Sequence, residues 1–284
     1  FLHGLRSRVP ANRTPRTWEL LRSDFPPDES PASAQDRIRA TRAFLTAYYQ
    51  AVPALRTAMF VEADGPAECH WAMRNYFTSL IFTIDTPLPG YYAWLMRQDL
   101  VPAYRYYRRH LSLLPGAVAG GRLLLKNPYH LWQLEAMRQA FPGARFVHLF
   151  REPAKSLASY CSLVQMVRQS MNSRTCPEEL GAELAAHYAG GIRRSRLARS
   201  GFPAKAVLDV DFRQLTRDPL GVAEVIYAHF GLPLEPSARS AMAAWLEANP
   251  KEKHGRHDYD LSQFGLNPGR LPPEFDGYRR DFGL

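Results

Sequence analysis

Two cationic side chains follow predicted buried strands, each at the point where the strand ends. Lys126 comes after the apolar run 123–125, and Arg151 comes after the apolar run 144–150. In a parallel sheet, ligands bind beyond the carboxyl ends of the strands, so we expect both cations at that edge. A helix is also predicted to begin directly after Arg151, and helix N-termini attract anions. The pattern therefore predicts an anion site, in which a guanidinium can donate two parallel hydrogen bonds to a phosphate.

The stretch 121–163 positions these two residues, and its hydrophobic pattern alternates between strand and helix. The short apolar runs indicate strands that are buried on both faces. Residues 130–141 carry apolar side chains at a helical period, and Pro142-Gly143 is expected to end that helix. Strands that alternate with helices predict right-handed βαβ crossovers and a parallel sheet flanked by helices.

The rest of the chain is mainly helical in pattern, with one further strand predicted over 204–211. Pro102 is expected to kink or split a long aromatic helix. We predict a single domain over 1–284, with a mainly helical region at 27–115, an α/β core at 121–231, and C-terminal helices with a basic loop at 232–284. Further helices are predicted over residues 34–49, 66–82, 91–114, 212–231, 237–248 and 272–282. Another helix is predicted to open at 151–153, and residues 166–200 are predicted to form two helices with a break around 172–177.

Composition narrows the class of protein. The chain has 284 residues, enough for a large core, and a net charge of +9. That charge favours an anionic ligand or a solvated arginine-rich surface, and no basic stripe interleaved with aromatics indicates a nucleic acid partner. Cys69, Cys161 and Cys176 show no pairing pattern, which indicates neither a disulfide framework nor a metal site and fits a reducing cytoplasm. No run reaches the roughly 18 apolar residues of a transmembrane helix.

A family resemblance is visible in the same stretch. The segment RFVHLFREPAKSLASYCSL resembles the 3′-phosphate-binding segment of sulfotransferases that use 3′-phosphoadenosine 5′-phosphosulfate (PAPS). The preceding LLLKNPYHL resembles the strand of that family that ends in a lysine of the catalytic region. The resemblance runs almost from end to end, and it is greatest to the broad bacterial-type branch. It implies a P-loop NTPase-like three-layer α/β fold with a helical insertion on the acceptor side. It also implies transfer of a sulfuryl group from PAPS to a hydroxyl or amine of a small or lipid-like acceptor.

The resemblance assigns roles to particular residues. Lys126 would stabilise the charge on the leaving phosphate oxygen. Arg151 would bind the 3′-phosphate, and Ser159 would donate its hydroxyl to the same group. Ser156 and Ser162 lie on neighbouring turns of the predicted helix and are the competing serines.

Two later segments resemble further parts of the cofactor site. Phe212 follows the strand predicted to end at residue 211, where related enzymes often place an aromatic side chain beside the adenine. The segment KEKHGRH resembles the late basic loop of the family, which closes on the 3′-phosphate. A solvated loop is the alternative. The expected ligands from this loop are Lys253, Gly255 and Arg256.

The reaction also requires a base, because the acceptor hydroxyl loses its proton as its oxygen attacks sulfur. Glu19 is one candidate, in a segment that resembles the family pattern Arg-x-Pro-x-Thr-Trp-Glu-Leu, and a salt bridge to a neighbouring arginine such as Arg16 is its alternative role. His130 is the second candidate. Glu68 and His70 could also reach the acceptor, although an acid in the first turn of a helix commonly interacts with the helix dipole.

One element of the family pattern lies outside this sequence. Residues 1–5, FLHGL, resemble the helix that follows the glycine-containing loop that binds the 5′-phosphosulfate. We expect the sequence to begin after that loop, and the alternative is a lineage without it.

Two other functions stay open at this point. A nucleotide-dependent kinase on the same fold would need a GxxxxGK[ST] loop and a magnesium ligand, for which Asp209 and Asp211 are the candidates. A non-catalytic nucleotide-binding relative would bind without turnover. No metal is expected in the sulfotransferase scheme.

Overall fold

The computed structural model describes residues 1–21, 30–114, 121–171, 173, 175–250, 253, 255 and 258–284. Within these ranges the chain is a helix-rich α/β protein with short parallel strands. It divides into two compact units. Unit 1 contains Phe1–Ile81, Arg97–Pro128 and Leu234–Arg256, and unit 2 contains Phe82–Met96, Tyr129–Pro233 and His257–Leu284. The assignment of the whole chain to a single domain stays a prediction.

The elements of the described ranges are numbered in chain order. The α-helices are α1 (Leu2–Arg6), α2 (Thr17–Leu21), α3 (Pro31–Ala51), α4 (Ala54–Ala58), α5 (His70–Met73), α6 (Ile81–Asp85), α7 (Pro89–Leu95), α8 (Val101–Ser112), α9 (Leu134–Ala140), α10 (Pro153–Ser170), α11 (Pro177–Arg199), α12 (Phe212–Arg217), α13 (Pro219–His229), α14 (Pro236–Ala248) and α15 (Glu274–Phe282). The strands are β1 (Asn12–Arg13), β2 (Arg122–Leu123), β3 (Phe146–Phe150) and β4 (Val207–Asp211). Short 3-10 helices cover Arg74–Tyr76, Pro128–Trp132, Ala204–Ala206, Leu261–Phe264 and Pro268–Arg270.

The strands form two parallel pairs, which confirms the predicted parallel arrangement. In unit 1, β1 pairs with β2, and in unit 2, β3 pairs with β4. The register of the second pair places Phe150 opposite Asp211. Since the two strands run in the same direction, the residues that follow them, Arg151 and Phe212, leave from the same end of the pair.

Unit 1 has a core built against the long helix α3. The helix begins where the Ser30 side chain accepts the Ser33 N–H at 3.2 Å, as an N-cap serine does. A buried apolar cluster joins α3 to α2 and to the segment around residue 63, and its members are Trp18, Ile38, Leu45 and Ala63. The Tyr49 hydroxyl donates to the carbonyl of residue 59 at 2.9 Å and accepts the N–H of residue 61 at 2.8 Å. This phenol therefore fixes the main chain after α4 to α3.

Unit 2 is organised around α10 and α11, which pack against each other. Leu157 and Cys161 from α10 and Leu184 from α11 are fully or almost fully buried. Gly181 of α11 lies so near the 3-10 helix of residues 261–264 that a Cβ would sit 2.1 Å from the carbonyl oxygen of Phe264. Glycine is required at this position because any side chain would collide with that backbone.

Helices α10 and α11 are also joined by polar contacts around a buried arginine of α10. The fully buried Arg168 donates two hydrogen bonds to the Glu183 carboxylate, at 2.7 and 2.9 Å, and one to the carbonyl of Thr83 at 2.7 Å. His187 stacks on Tyr92 with ring centroids 3.5 Å apart. Burial, together with the nearby Arg168, lowers the pKa of His187 to about 4, against the opposing effect of Glu183.

Most helices predicted from the sequence are confirmed, but the one over 66–82 is wrong. The Cys69 N–H donates to the carbonyl of Lys126 at 2.9 Å, so this segment pairs with a distant chain segment before any helix begins. Only α5 and a 3-10 turn follow, and Phe77 then adopts a left-handed φ of 55°, which ends the helical path. The helix resumes as α6.

Three other predicted helices are interrupted. The helix over 212–231 is divided into α12 and α13 at Asp218. The helix over 91–114 is split as predicted, and Pro102 lies in the first turn of α8. Tyr104 and Tyr107 of α8 are buried, so these aromatics belong to the core. The helix over 130–141 is a 3-10 helix followed by α9. No helix among the described residues is both long and apolar enough to cross a membrane.

Candidate active site

In unit 1, Lys126 lies three residues beyond the end of strand β2 and forms an ion pair with Glu68. The main-chain bond from Cys69 to the Lys126 carbonyl holds the two segments together. The second carboxylate oxygen of Glu68 lies 3.4 Å from Nδ1 of the buried His70. The Lys126 and Glu68 side chains are 44% and 28% exposed. The ammonium of Lys126, the carboxylate of Glu68 and the imidazole of His70 therefore form a row of contacts, with Lys126 on the solvent side.

The electrostatics of this group are set by burial and by Lys126. Burial opposes ionisation of Glu68, but Lys126 and His70 together hold the pKa of this carboxyl well below its usual range. His3 of α1 faces the same group, and burial followed by the charge of Lys126 lowers the pKa of His3 to about 4. Burial raises the pKa of the Cys69 thiol to about 12. At neutral pH the group therefore contains an ionised Glu68, a neutral His3 and a protonated Cys69 thiol.

Glu19 lies in helix α2 and is only 3% exposed. One carboxylate oxygen pairs with the Arg13 guanidinium at 2.5 Å, and the other accepts the main-chain N–H of Arg16 at 2.7 Å. The guanidinium of Arg16 pairs instead with Asp64 at 2.6 Å. Glu19 therefore forms the salt bridge that was the alternative to a catalytic role, with Arg13 as the partner. Both oxygens of Glu19 accept hydrogen bonds from N–H groups.

In unit 2, Arg151 follows β3 and is held by two neighbours. Its Nε donates to the Ser156 hydroxyl at 2.7 Å, and its guanidinium carbon lies 5.4 Å from the centroid of the Phe212 ring. Ser156 is also hydrogen-bonded to Tyr188, whose pKa is raised by burial. Ser159 lies half-buried further along α10. The structure therefore brings Ser156 to Arg151, as one of the competing serines.

At the start of helix α10, Glu152 lies next to Arg151 but is bound by other groups, so it does not neutralise the positive charge of Arg151. Glu152 is the N-cap residue and accepts the Ala154 N–H at 3.3 Å. Arg279 donates two hydrogen bonds to one Glu152 oxygen, at 2.8 and 3.0 Å. Because Arg279 neutralises Glu152, the guanidinium of Arg151 remains available for an anion.

The expected basic loop is only partly described. The Lys253 ammonium donates to the carbonyl of Ala248 at 2.9 Å and to the side-chain oxygen of Asn249 at 3.0 Å, at the end of α14. Such a lysine satisfies free carbonyls at a helix C-terminus. Gly255 has a φ of +100°, which is accessible mainly to glycine. Arg256 lies outside the described residues.

Other predicted site residues are placed separately. His130 is buried in the 3-10 helix Pro128–Trp132 of unit 2, whereas Lys126 belongs to unit 1. Lys126 and Arg151 follow strands of different pairs in different units, so their meeting at one sheet edge stays a prediction. Within the described part of the chain, no three His, Cys, Asp or Glu side chains come together as a metal site.

Unit 1 also contains a groove between α3 and the segment after α4. Its volume is about 650 Å³. Phe60 presents an exposed ring that is stacked on Tyr49, with ring centroids 6.0 Å apart and planes 21° apart. The charged side chains that line the groove are Arg42, Arg56, Glu62 and Asp64. This mixture of an aromatic face with ionic groups suits an amphiphilic molecule.

Several residues that are in contact in the structure were not predicted from the sequence to contact each other. Glu68 pairs with Lys126 across 58 positions of sequence. Tyr188 and Arg279 reach the start of α10 from distant helices. No local pattern could have predicted these contacts. The spacing of Ser156 from Arg151 was a usable signal, because a serine in the first turn of a helix lies closer to the preceding loop than one a turn later.

Comparison with known proteins assigns the chain to a family. Residues 2–236 match the family model described as "Sulfotransferase family". The chain belongs to the sulfotransferase family. This sulfotransferase is similar to the crystal structure of sulfotransferase STF1 from Mycobacterium tuberculosis H37Rv, with 29% identity and a TM-score of 0.80 over 100% of this chain and 73% of that chain. It is also similar to sulfotransferase STF9 from Mycobacterium avium, with 25% identity and a TM-score of 0.84 over 99% of this chain and 72% of that chain. A search of curated proteins gave no match.

These similarities confirm the predicted family, fold class and enzyme class. The sulfotransferase has the P-loop NTPase-like α/β fold of its structural neighbours. It is an enzyme of the class that depends on PAPS, and a small-molecule acceptor follows from that class.

Proposed function

We propose that this sulfotransferase moves the sulfuryl group of PAPS to a hydroxyl or amine of a small or lipid-like acceptor. The observation that carries the proposal is the group formed by Arg151, Ser156 and Phe212 at the ends of β3 and β4. A guanidinium and a hydroxyl are donors suited to a 3′-phosphate, and the phenylalanine ring offers a flat apolar face to adenine. These residue types fit a 3′-phosphoadenosine nucleotide.

The other roles follow the family resemblance. Ser159 is proposed as a further donor to the 3′-phosphate from the next turn of α10. Lys253, Gly255 and Arg256 are proposed to contribute positive charge and main-chain N–H groups to the same phosphate. Lys126 is proposed to stabilise the negative charge that develops on the leaving oxygen.

The acceptor is proposed to occupy the groove of unit 1. Glu68, which contacts Lys126, lies four positions after Asp64, which lines the groove. An extended chain of that length spans at most about 14 Å, so the groove ends near the lysine. The stacked Phe60 and Tyr49 would contact an apolar part of the acceptor, and the arginines and acids would contact its polar part. For the site of action we propose the cytoplasm, because the three cysteines are free.

Thermal unfolding with nucleotides tests the donor site. Adenosine 3′,5′-bisphosphate at about 100 times its Kd should raise the unfolding free energy by about 2.7 kcal/mol, whereas AMP, which lacks the 3′-phosphate, should give a much smaller shift. ATP serves as the control for a kinase. Equal shifts with AMP and the bisphosphate, or a shift with ATP alone, would contradict the proposal. Transfer of label from radioactive PAPS to a panel of alcohols and amines then tests the reaction itself.

A further inference from the structure

We propose that Glu68, in place of Glu19 or His130, is the base that takes the acceptor proton, and that its pairing with Lys126 restrains it until the sulfuryl donor arrives. The assignment rests on the proposed function. It is based on the contacts of unit 1, where Lys126, Glu68 and His70 follow one another.

The position of Lys126 selects Glu68. In an in-line displacement, the attacking and leaving oxygens flank the same sulfur atom, and reacting atoms are about 3–3.5 Å apart in a productive complex. The base and the group that stabilises the leaving oxygen must therefore lie close together. Among the described residues, Glu68 is the carboxylate paired with Lys126, and its side chain is partly open to solvent. Glu19 is buried, and both of its oxygens already accept N–H donors.

The pairing with Lys126 also makes Glu68 responsive to the donor. In the structure, Lys126 favours the ionised carboxylate and so makes it a weak base. When Lys126 interacts with the donor, the carboxylate loses part of this stabilisation and gains an anionic neighbour, and both changes raise its proton affinity. Nδ1 of His70 lies 3.4 Å from the other carboxylate oxygen and also favours the ionised form of Glu68. His3 of α1 and the Cys69 thiol are further titratable groups that interact with this site.

The transfer step balances with these two side chains. The acceptor oxygen forms a bond to sulfur while the bond from sulfur to the bridging phosphate oxygen breaks. The acceptor proton passes to Glu68, and the electron pair of the broken bond remains on the leaving oxygen, where Lys126 neutralises its charge. Glu68 then releases the proton to solvent, and the products are the sulfated acceptor and adenosine 3′,5′-bisphosphate.

The first test compares glutamine variants in steady-state kinetics. Glu68→Gln should lower kcat about 100- to 1,000-fold, the range for loss of a general base, with binding of adenosine 3′,5′-bisphosphate changed less than threefold. Glu247→Gln, on the exposed face of α14 in the same unit, is the matched control and should behave as the wild type. Glu68→Asp should recover part of the activity. A Glu68→Gln enzyme with kcat within threefold of the wild type would overturn the assignment, as would an equal loss confined to Glu19→Gln or His130→Gln.

The second test measures restraint by Lys126 without any turnover. Carbon-13 NMR of labelled glutamate follows the Glu68 carboxyl through a pH titration, and the Glu68→Gln spectrum identifies its signal. Saturating adenosine 3′,5′-bisphosphate should move the Glu68 titration to higher pH. A bound nucleotide that leaves this titration unchanged would overturn the restraint alone. Failure of the nucleotide to bind would overturn the donor site, and this inference with it.

Discussion

Replacing Arg151 by lysine is expected to weaken the binding of adenosine 3′,5′-bisphosphate about 10- to 150-fold. In the structure Arg151 donates from Nε to Ser156 at 2.7 Å and lies over the ring of Phe212. A lysine keeps the charge but has no planar group that can bond Ser156 and present two parallel donors to a phosphate. The loss of one charge-assisted hydrogen bond costs about 1.5–3 kcal/mol. Since about 1.4 kcal/mol corresponds to a tenfold change in Kd, this range gives the expected factor.

Calorimetric titration at fixed salt concentration measures the effect, and two controls isolate it. The first control is Arg138→Lys, because Arg138 is exposed on α9 and pairs with the neighbouring Glu135, so its change should leave nucleotide binding unaltered. The second control is the ligand itself. AMP lacks the 3′-phosphate, so its affinity should differ by less than threefold between the wild type and Arg151→Lys.

Either of two results would refute the reasoning. If Arg151→Lys bound the bisphosphate as tightly as the wild type, the guanidinium would not be a ligand of the nucleotide. If the variant weakened AMP and the bisphosphate equally, Arg151 would act on a part of the nucleotide that both share, and the 3′-phosphate would have to be bound elsewhere.

Three further predictions concern the groove, the packing of unit 2 and the pH dependence of stability. Phe60→Ala should raise the acceptor KM about 3- to 10-fold and leave the PAPS KM unchanged in two-substrate kinetics, because an aromatic contact is worth about 0.5–1.5 kcal/mol. Gly181→Ala should lower the free energy of unfolding by about 1–3 kcal/mol in urea titrations, because its Cβ would lie 2.1 Å from a carbonyl oxygen. The pKa of His187 is about 4 in the folded state, below its value in the unfolded chain, so the unfolded state binds more protons between about pH 4 and 6.5. Stability should therefore fall as the pH is lowered through this window, by up to about 1.4 kcal/mol per pH unit from this group, and His187→Gln should flatten the slope in urea titrations at stepped pH.

Each of these predictions has a control and an outcome that contradicts it. Phe44→Ala removes an exposed ring of α3 that does not line the groove. A rise in the acceptor KM of Phe44→Ala equal to that of Phe60→Ala would contradict binding of the acceptor in the groove. Gly90→Ala adds a methyl group where nothing lies within 4 Å, so it should be neutral, and equal stability of Gly181→Ala would contradict the packing argument. An unchanged pH slope in His187→Gln would assign the pH dependence to other buried groups, such as His3.

Local sequence signals predicted the elements around Arg151 well. The apolar run before Arg151, the Pro153 start of α10 and the Pro177 start of α11 each depend on neighbouring residues, and each is found in the structure. Because β3 and β4 are parallel and in register, the sequence was also sufficient to place Arg151 and Phe212 at the same end.

Long-range contacts explain what the sequence did not predict. The helix predicted over 66–82 has a suitable local composition, but its Cys69 N–H is bonded to the carbonyl of Lys126. Strand β1 is only two residues long and has no apolar alternation, so its pairing with β2 left no local signal. A salt bridge between Glu19 and a neighbouring arginine was predicted as the alternative to a catalytic role, and the structure has such a bridge with Arg13. The choice of Glu68 as the partner of Lys126 depends on the fold alone.

The hydroxyl of Tyr49 has a consequence for how this enzyme could change its substrate. It holds the main chain at residues 59 and 61, so one border of the groove is fixed by backbone atoms and a single phenol on α3. Side chains that project from this border, such as Phe60 and Glu62, can be exchanged without altering the path of the chain that carries them. With the acceptor in the groove, as we propose, selection for a new acceptor would proceed by single substitutions there while the fold and the proposed donor-binding residues stay unchanged.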